Sequence, residues 1–570
     1  MRTHLGVLLL LLAVVVTAVF FIAVFAWQGE PRGSQASSDV MPQTLGGRPQ
    51  GHVYTSAVEE PADVNPLTAQ GAVAQSLVLG VTHDSLLDRD ARTGALRNAL
   101  AASHEVAADG LSCIFELRDG LVFSDGTPVT MRDVMFGWEL AKAGHLPLGF
   151  VGAAFARVRA VDVVAERRLR VHFRKRYFAN VAAVGEGWLV ASRTFFEDRV
   201  ARRLVSDEAM PAIESPRFAQ LLDQVNLESG PGTGPYELHN DDRGASNWRR
   251  RQSLVLVRNE SSWRRQVRPG TWNFRAMRLL FRDQAGARNA LLRGEVDWYS
   301  GSDLDALLAA HESLAEQCDK HVYDYPQLGV YRVVWNCRRA PFDDVRVRQA
   351  LSMLVPRQDI VAMLGGGAQA AVAHAKPGSP SYPVEAAAEF DPVAARQLLR
   401  IAGFDPEKGK PLRMTLLALQ GSESLRRITE LLRNSLHAAG VVLDVRPREL
   451  TGFVTEQKRG EWHGALVLQW FDASGDPYRF LHSEGRSNPG GWQHEQADAL
   501  ASAARLELDA VARDRLWRRL HLLAHREQPV ALLAHPAATV LLRKYLRDYQ
   551  PGAYGLRPEW AWVPAEHQRR

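Results

Sequence analysis

The stretch LRDGLVFSDGTPVTMRDV, residues 117–134, decides the fold of this chain more than any other segment. It contains two Asp-Gly dipeptides, at 119–120 and 125–126, which are tight-turn signals on either side of a short apolar strand. Thr130 stands at an N-cap position with Asp133 three residues later, a near capping box before a helix. The stretch therefore predicts a strand–turn–strand–helix unit, and it contains no catalytic group.

Length and charge set the broad class of the protein. The chain has 570 residues, too many for one compact core, so two or three lobes are expected. The formal net charge is +5, and arginines alternate with tryptophans between Arg243 and Arg268. Such a stretch could follow a nucleic-acid backbone, but we interpret it as a solvated face and expect no nucleic-acid partner.

The N-terminus indicates the compartment. Residues 5–27 form an apolar run about as long as a helix that spans a bilayer. Because Val24-Phe25-Ala26, just before the end of the run, is an acceptable cleavage site, residues 1–27 are either a signal sequence or a transmembrane anchor, and the length favours the anchor. Residues 28–50 read as a flexible linker. The rest of the chain is expected to be periplasmic or extracytoplasmic, tethered to the inner membrane by residues 5–27.

Cysteine and histidine patterns give no support for catalysis or metal binding. The three cysteines fit neither a disulfide framework nor a zinc site, although a bridge between Cys318 and Cys337 stays open. His521 and His525 share a helix face, expected to be solvated or half-buried, and Leu522 replaces the glutamate that a zinc protease needs. The sequence therefore predicts no enzyme, no metal site and no cofactor.

Strands and helices alternate along the chain. Residues 277–300 read as a strand, a helix and a second strand. Strands are predicted again at 414–419, 441–445 and 464–470, with helices between them. Two successive crossovers of this kind imply parallel strands covered by helices, an α/β fold.

The loop that follows residues 464–470 is the candidate binding site. It leaves the carboxyl end of a strand, where open α/β sheets bind their ligands. Trp470 and Phe471 supply aromatic surface, and Asp472 and Asp476 supply carboxylates. Together they suit the ammonium group and apolar side chains of a peptide, although the loop is also compatible with a simple N-cap and a core tryptophan.

Residues 117–134, the segment GPGTGPYEL at 230–238 and the element order after Val330 resemble the extracellular solute-binding proteins of family 5. These are the dipeptide- and oligopeptide-binding proteins of ABC importers, and the resemblance covers roughly residues 55–565. It implies a two-lobe periplasmic-binding-protein-like fold of class II with an extra subdomain, preceded by an N-terminal hydrophobic helix.

The resemblance also implies domain boundaries. Lobe I would comprise residues 51–328 and 529–570, and lobe II residues 329–528. The chain would act as a monomer that binds a peptide or other small solute in an interlobe cleft and delivers it to ABC permease subunits in the membrane.

Family resemblance assigns roles in the binding site. Trp470 and Asp476 keep the spacing of the peptide binders, whereas Ala473 occupies the usual amino-anchoring position and Asp472 stands one residue earlier. Glu60, in the strand end at 58–61, would lie where a second strand edge meets the peptide backbone.

Two alternatives stay open. One is a membrane-anchored ligand sensor with the same fold. The other is a binder of a non-peptide solute, for which the resemblance allows nickel, haem or oligosaccharide. A transcription regulator is disfavoured, because the apolar N-terminal run occupies the place of its DNA-binding module.

Overall fold

The computed structural model describes most of the chain after the predicted linker. The described residues are 48, 51–90, 94–225, 229–238, 247–301, 304–323, 329–387, 389–471, 474–549 and 557–569. The predicted signal or anchor at 1–27 lies outside them, as do nearly all of the linker and Asp472. Within the described ranges, no helix is both long and apolar enough to cross a membrane.

The chain divides into two compact units. The inserted unit is Val322–Ala538, and the terminal unit combines the described residues up to His321 with those from Thr539 onward. Over the part of the chain from residue 51 that the structure describes, the backbone therefore passes from one unit to the other twice.

The described residues of the terminal unit form four sheets. Its strands are β1 Val53–Val58, β2 Leu87–Arg89, β3 Leu96–Asn98, β4 Ala101–Val106, β5 Ser112–Leu117, β6 Val158–Ala165, β7 Arg168–Phe173, β8 Tyr236–Leu238, β9 Trp248–Arg249, β10 Ser253–Arg258, β11 Ala276–Phe281, β12 Trp298–Ser300 and, at its two boundaries, β13 Cys318–Tyr323 and β20 Ala538–Arg543. The sheet orders are β1-β11-β10-β8 with β9 on β10, β4-β5-β7-β6, β2-β3 and β12-β20-β13.

Short helices pack on these sheets. They are α1 Ala72–Val78, α2 Met131–Ala143, α3 Gly149–Phe155, α4 Asn180–Gly187, α5 Arg193–Ala201, α6 Pro216–Asp223, α7 Arg264–Val267, α8 Gln284–Leu292, α9 Leu304–Ala310 and α10 Glu312–Gln317. The strand–helix–strand order predicted for residues 277–300 is present, but its two strands belong to different sheets. β11 and β12 flank helix α8, but β12 pairs with β20, so that Trp298 lies opposite Leu542.

The stretch at 117–134 folds as its turn and cap signals predict. Gly120 and Gly126 have φ values of +64° and +83°, the left-handed conformation that glycine tolerates. The Thr130 backbone N–H donates to Asp133 Oδ2 at 2.9 Å and begins α2. The strand predicted between the two turns is wrong: Val122 makes only an isolated bridge with Pro128, which follows the second turn.

The inserted unit is built on one sheet with the order β15-β19-β14-β18-β16-β17. Its strands are β14 Val330–Trp335, β15 Gln369–Ala370, β16 Arg413–Leu419, β17 Val442–Arg448, β18 Gly464–Gln469 and β19 Val530–His535. Its helices are α11 Val345–Met353, α12 Arg357–Leu364, α13 Pro392–Ile401, α14 Glu423–Ala438, α15 Leu450–Arg459, α16 Tyr478–Leu481, α17 Glu495–Leu506 and α18 Ala510–Glu527.

This sheet confirms the predicted crossovers. β16 runs parallel to β17 and to β18, while β14 runs antiparallel to β18 and β19. Apolar clusters cover both faces of the sheet: one contains the inward residues of α14, the other those of α17 and α18. The strand ends, rather than the covered faces, are therefore where a ligand can approach.

Candidate functional site

Three neighbouring strands of the inserted unit begin or finish at the same end of the sheet. β18 ends at Gln469, β19 ends at His535, and β14 begins at Val330 opposite Gln469. Gly329 precedes β14 with a φ of +79°, and a Cβ there would lie 1.8 Å from the Gln469 carbonyl oxygen. Only glycine lets the two backbones approach this closely.

The aromatic residues of the candidate loop have different surroundings. Trp470 is half-buried directly after β18, and its carbonyl accepts a hydrogen bond of 3.0 Å from Gln469 Nε2. Phe471 is buried and its ring packs edge-on against Phe480, with 5.7 Å between ring centroids. Trp470 is therefore the residue of this pair that still presents aromatic surface.

Asp476 is held by its own loop. It is buried, and its Oδ1 accepts from the Tyr478 backbone N–H at 3.0 Å at the start of α16. Its Oδ2 accepts from Arg505 Nε at 2.7 Å. These contacts fix the loop to α17, which is a positioning role.

Of the other two predicted site residues, the structure describes only Glu60. Asp472 falls outside the described residues, together with Ala473. Glu60 belongs to the terminal unit, where Oε1 accepts from Trp248 Nε1 at 3.3 Å and Oε2 from the Arg251 backbone N–H at 3.1 Å. Arg250 Nε also pairs with Glu60 at 3.0 Å, so the carboxylate holds the turn between β9 and β10.

Sequence reasoning missed Arg332, which lies beside the candidate loop. It sits within β14, an otherwise apolar strand, and its side chain is only 1% exposed. Its Nη2 donates to Gln469 Oε1 at 2.9 Å and to the Ser487 carbonyl at 3.1 Å, and Nη1 lies 3.1 Å from His374 Nε2. A lone arginine in an apolar strand was the available signal, because a buried cation needs a reason to be there.

The rings of Phe480 and His374 pack beside the Arg332 guanidinium. The Arg332 guanidinium lies 5.1 Å from the centre of the Phe480 ring. His374 is stacked on the same ring at 5.0 Å and 4°. Burial, together with the nearby Arg332 charge, holds the pKa of His374 well below its usual range, so the imidazole is neutral and accepts from Arg332.

His521 and His525 differ in burial. His521 is fully buried, contrary to the expected solvated or half-buried face, and its Nδ1 donates to the Ser381 carbonyl at 3.1 Å. His521 and His525 line a cavity of about 10 Å³, roughly the room that one water needs. Among the residues that the structure covers, no cluster of histidine, cysteine or acidic side chains could hold a metal ion. Cys318 and Cys337 are free thiols.

The basic stretch at 243–268 is not the fully solvated face expected from its composition. Arg264 is 3% exposed and pairs with Asp84 at 2.5 Å and Asp88 at 3.0 Å. Arg268 also contacts Asp88, at 2.6 Å. Burial alone would raise the pKa of Asp88, but these two guanidinium groups lower it well below its usual range.

Solved structures share this fold. The oligopeptide-binding protein AppA from Bacillus subtilis in complex with a nonapeptide matches with a TM-score of 0.65 and 17% identity, over 91% of this chain and all of that one (100%). HbpA2 from Haemophilus parasuis matches with a TM-score of 0.74 and 17% identity, over 90% of this chain and 99% of that one. They confirm the predicted α/β, periplasmic-binding-protein-like fold.

Curated relatives extend over most of the sequence. The probable deoxycholate-binding periplasmic protein YgiS of Escherichia coli (strain K12) is 23% identical, over 86% of this chain and 89% of that protein. Di/tripeptide-binding protein 3 of Pseudomonas aeruginosa (strain UCBPP-PA14) is 25% identical, over 79% and 83%. Residues 95–492 match the family model for the middle region of bacterial extracellular solute-binding proteins, family 5. The chain belongs to that family.

Proposed function

We propose that this protein binds short peptides outside the cytoplasm and delivers them to an ABC permease, without changing the peptide's covalent bonds. The observation that carries the proposal is the family match, joined to a strand-end loop with a half-buried tryptophan at its start. Relatives named as di/tripeptide-binding and dipeptide-binding support peptides as the solute class. The protein would act as a monomer.

The terminal and inserted units are proposed to be lobes I and II. Trp470 and Asp472 would contact the peptide, the ring covering an apolar side chain and the carboxylate accepting from the ammonium group. Phe471 and Asp476 would hold that loop in place, as their contacts with Phe480 and Arg505 indicate. Glu60 would keep the strand end at 58–61 in position.

The test of the peptide assignment is Asp472→Ala. Loss of a charge-assisted contact should weaken binding of free-amine dipeptides about tenfold or more in isothermal titration calorimetry. Asp359→Ala, which removes an exposed carboxylate of the same unit, is the matched control and should leave affinity unchanged. Equal affinity of the Asp472→Ala protein and the parent would remove Asp472 from the site.

A non-peptide solute on the same fold is the second candidate. Relatives named as deoxycholate-binding and heme-binding favour it, and both solutes carry carboxylates on large apolar bodies. Native mass spectrometry of the protein purified from its host would separate the two candidates by the mass of the co-purified solute.

Residues 5–27 are proposed to remain as an anchor in the inner membrane. N-terminal sequencing of the mature protein tests this, since a chain that begins at Trp27 would show cleavage instead.

A further inference from the structure

Arg332 is a buried cation whose visible partners are all neutral. Its guanidinium is bonded to the Gln469 amide oxygen, the Ser487 carbonyl and the His374 imidazole. The Nε–H has no hydrogen-bond partner among the described residues. None of the carboxylates that the structure describes pairs with this side chain, which is unusual because a buried charge is stable only when it is compensated.

The surroundings add positive charge. Arg479 is buried beside the same ring, 4.9 Å from the centre of Phe480, and donates to Ser487 Oγ. Lys376 is also buried and acts electrostatically on His535, at the end of β19. Burial, and then the charge of Arg479, lowers the pKa of Arg332 to about 9. Burial lowers the pKa of Lys376 to about 8.

The carboxylate of Asp476 does not pair with Arg332. The Asp476 carboxylate is engaged by Arg505, itself a cation. The Arg332 guanidinium at the end of β18 is therefore a positive charge that no described carboxylate contacts, and this favours an anionic group of the solute there.

Gln469 makes the guanidinium available to a ligand. It is the last residue of β18, half-buried, and its Oε1 occupies Arg332 Nη2 with a neutral hydrogen bond. A ligand carboxylate that displaces this oxygen would exchange a neutral acceptor for a charged one and could reach the unpartnered Nε–H as well. Charge-assisted, two-point contacts of this kind are about twice as strong as neutral ones.

We propose that Arg332 is the specificity-determining residue of this protein and selects solutes that carry a carboxylate on an apolar body. The carboxylate pairs with the guanidinium in place of Gln469 Oε1, and the half-buried Trp470 covers the apolar part of the solute. The inference rests on the proposed solute-binding function. Because Arg332 would recognise the carboxylate and not the peptide bond, the inference also applies to a non-peptide solute that carries a carboxylate.

The sharpest test is Gln469→Glu, because the substitution keeps the shape and the hydrogen bond to Arg332. It supplies a permanent carboxylate that competes with the solute, and the added ion pair should raise the unfolding temperature. Gln420→Glu is the matched control: it adds the same charge on an exposed residue after the neighbouring strand β16. Arg332→Met removes the cation itself and serves as the second variant.

Two probe pairs separate charge from solute class. One pair is the dipeptide Met-Leu and its C-terminal amide, and the other is deoxycholate and its methyl ester. In calorimetric titrations of the full chain, at least one carboxylate should bind about tenfold more tightly than its uncharged partner. Gln469→Glu and Arg332→Met should reduce that ratio below about threefold, and Gln420→Glu should leave it unchanged.

The outcomes distinguish the two proposals. Charge discrimination in the steroid pair without binding of either peptide would support Arg332 and refute the peptide function. Equal binding within both pairs would overturn the role of Arg332 while leaving solute binding intact. The inference also fails if both site variants keep the full ratio, or if neither carboxylate binds at millimolar concentration.

Discussion

Asp84 should be among the most sensitive positions of the terminal unit. It is 0% exposed, and it accepts from Trp263 Nε1 at 2.6 Å and from Arg264 Nη2 at 2.5 Å. The same aspartate anchors its own backbone, since its N–H donates to Thr233 Oγ1 at 3.0 Å. One side chain thus joins two segments that lie about 180 residues apart in the sequence.

Asp84→Ala leaves a buried indole N–H without its acceptor and a buried guanidinium with a single carboxylate, Asp88. Breaking a buried ion pair from one side costs about 3–5 kcal/mol, and the remaining Asp88 contact places the expected loss near the lower figure, about 3 kcal/mol. Glu423→Ala is the control, because its pair with Arg426 is 64% and 58% exposed and should contribute nothing measurable.

The assay has to resolve the two units, since they can unfold separately and a single transition is not assured. Hydrogen–deuterium exchange of peptides covering 84–89 and 264–268 reports the opening free energy of this region directly. A loss below about 1 kcal/mol in the Asp84→Ala protein would refute the reasoning, because it would mean that Arg264 is adequately compensated without Asp84.

Two further predictions concern a glycine and a histidine. A Cβ at Gly232 would lie 1.8 Å from the Thr82 carbonyl oxygen, so Gly232→Ala should lower the unfolding free energy by about 3 kcal/mol or more. In Gly452→Ala, in α15, the added Cβ has its nearest neighbour at 3.7 Å, so the helix propensity of alanine should raise the unfolding free energy by about 0.5–1 kcal/mol. Urea titration measures both changes, and a change of the opposite sign would contradict the prediction. Burial lowers the pKa of His521 to about 4, so the folded protein resists protonation that the unfolded chain accepts near 6.5. His521 should therefore contribute a loss of about 3 kcal/mol as the pH drops from 6.5 to 4, in addition to the losses from other buried histidines such as His83 and His535. His521→Gln, which keeps a donor for Ser381, should remove this contribution from the slope, and an unchanged slope would contradict it.

Local signals predicted the local structure well. The caps and alternation between 414 and 470 gave the strands and helices of the inserted unit to within a few residues, because helix period, N-caps and glycine stops are properties of neighbouring residues. The strand pairing after residue 277 could not be predicted in this way. Trp298 finds its partner at Leu542, and no short-range pattern connects them.

Ion pairs between residues far apart in the sequence could not be predicted either. Composition presents Arg264 as one of many surface arginines, but its two acids lie about 180 residues earlier in the chain. The candidate loop was predicted from strand order, whereas the roles of its residues depended on tertiary contacts. Phe471 and Asp476 are buried against Phe480 and Arg505, and no short-range pattern in the sequence shows these contacts.

Gln469 gives the strongest reason to regard the unpaired charge of Arg332 as functional. A glutamate in its place would have nearly the same shape, would keep the 2.9 Å contact and would neutralise a cation that is otherwise costly to bury. The chain carries the neutral amide instead, at the strand end where this fold presents its ligands. A site that must bind and release an anion needs a counter-charge that is not permanently occupied. The cost of leaving Arg332 without a carboxylate is then offset only in the complex, when the solute supplies one.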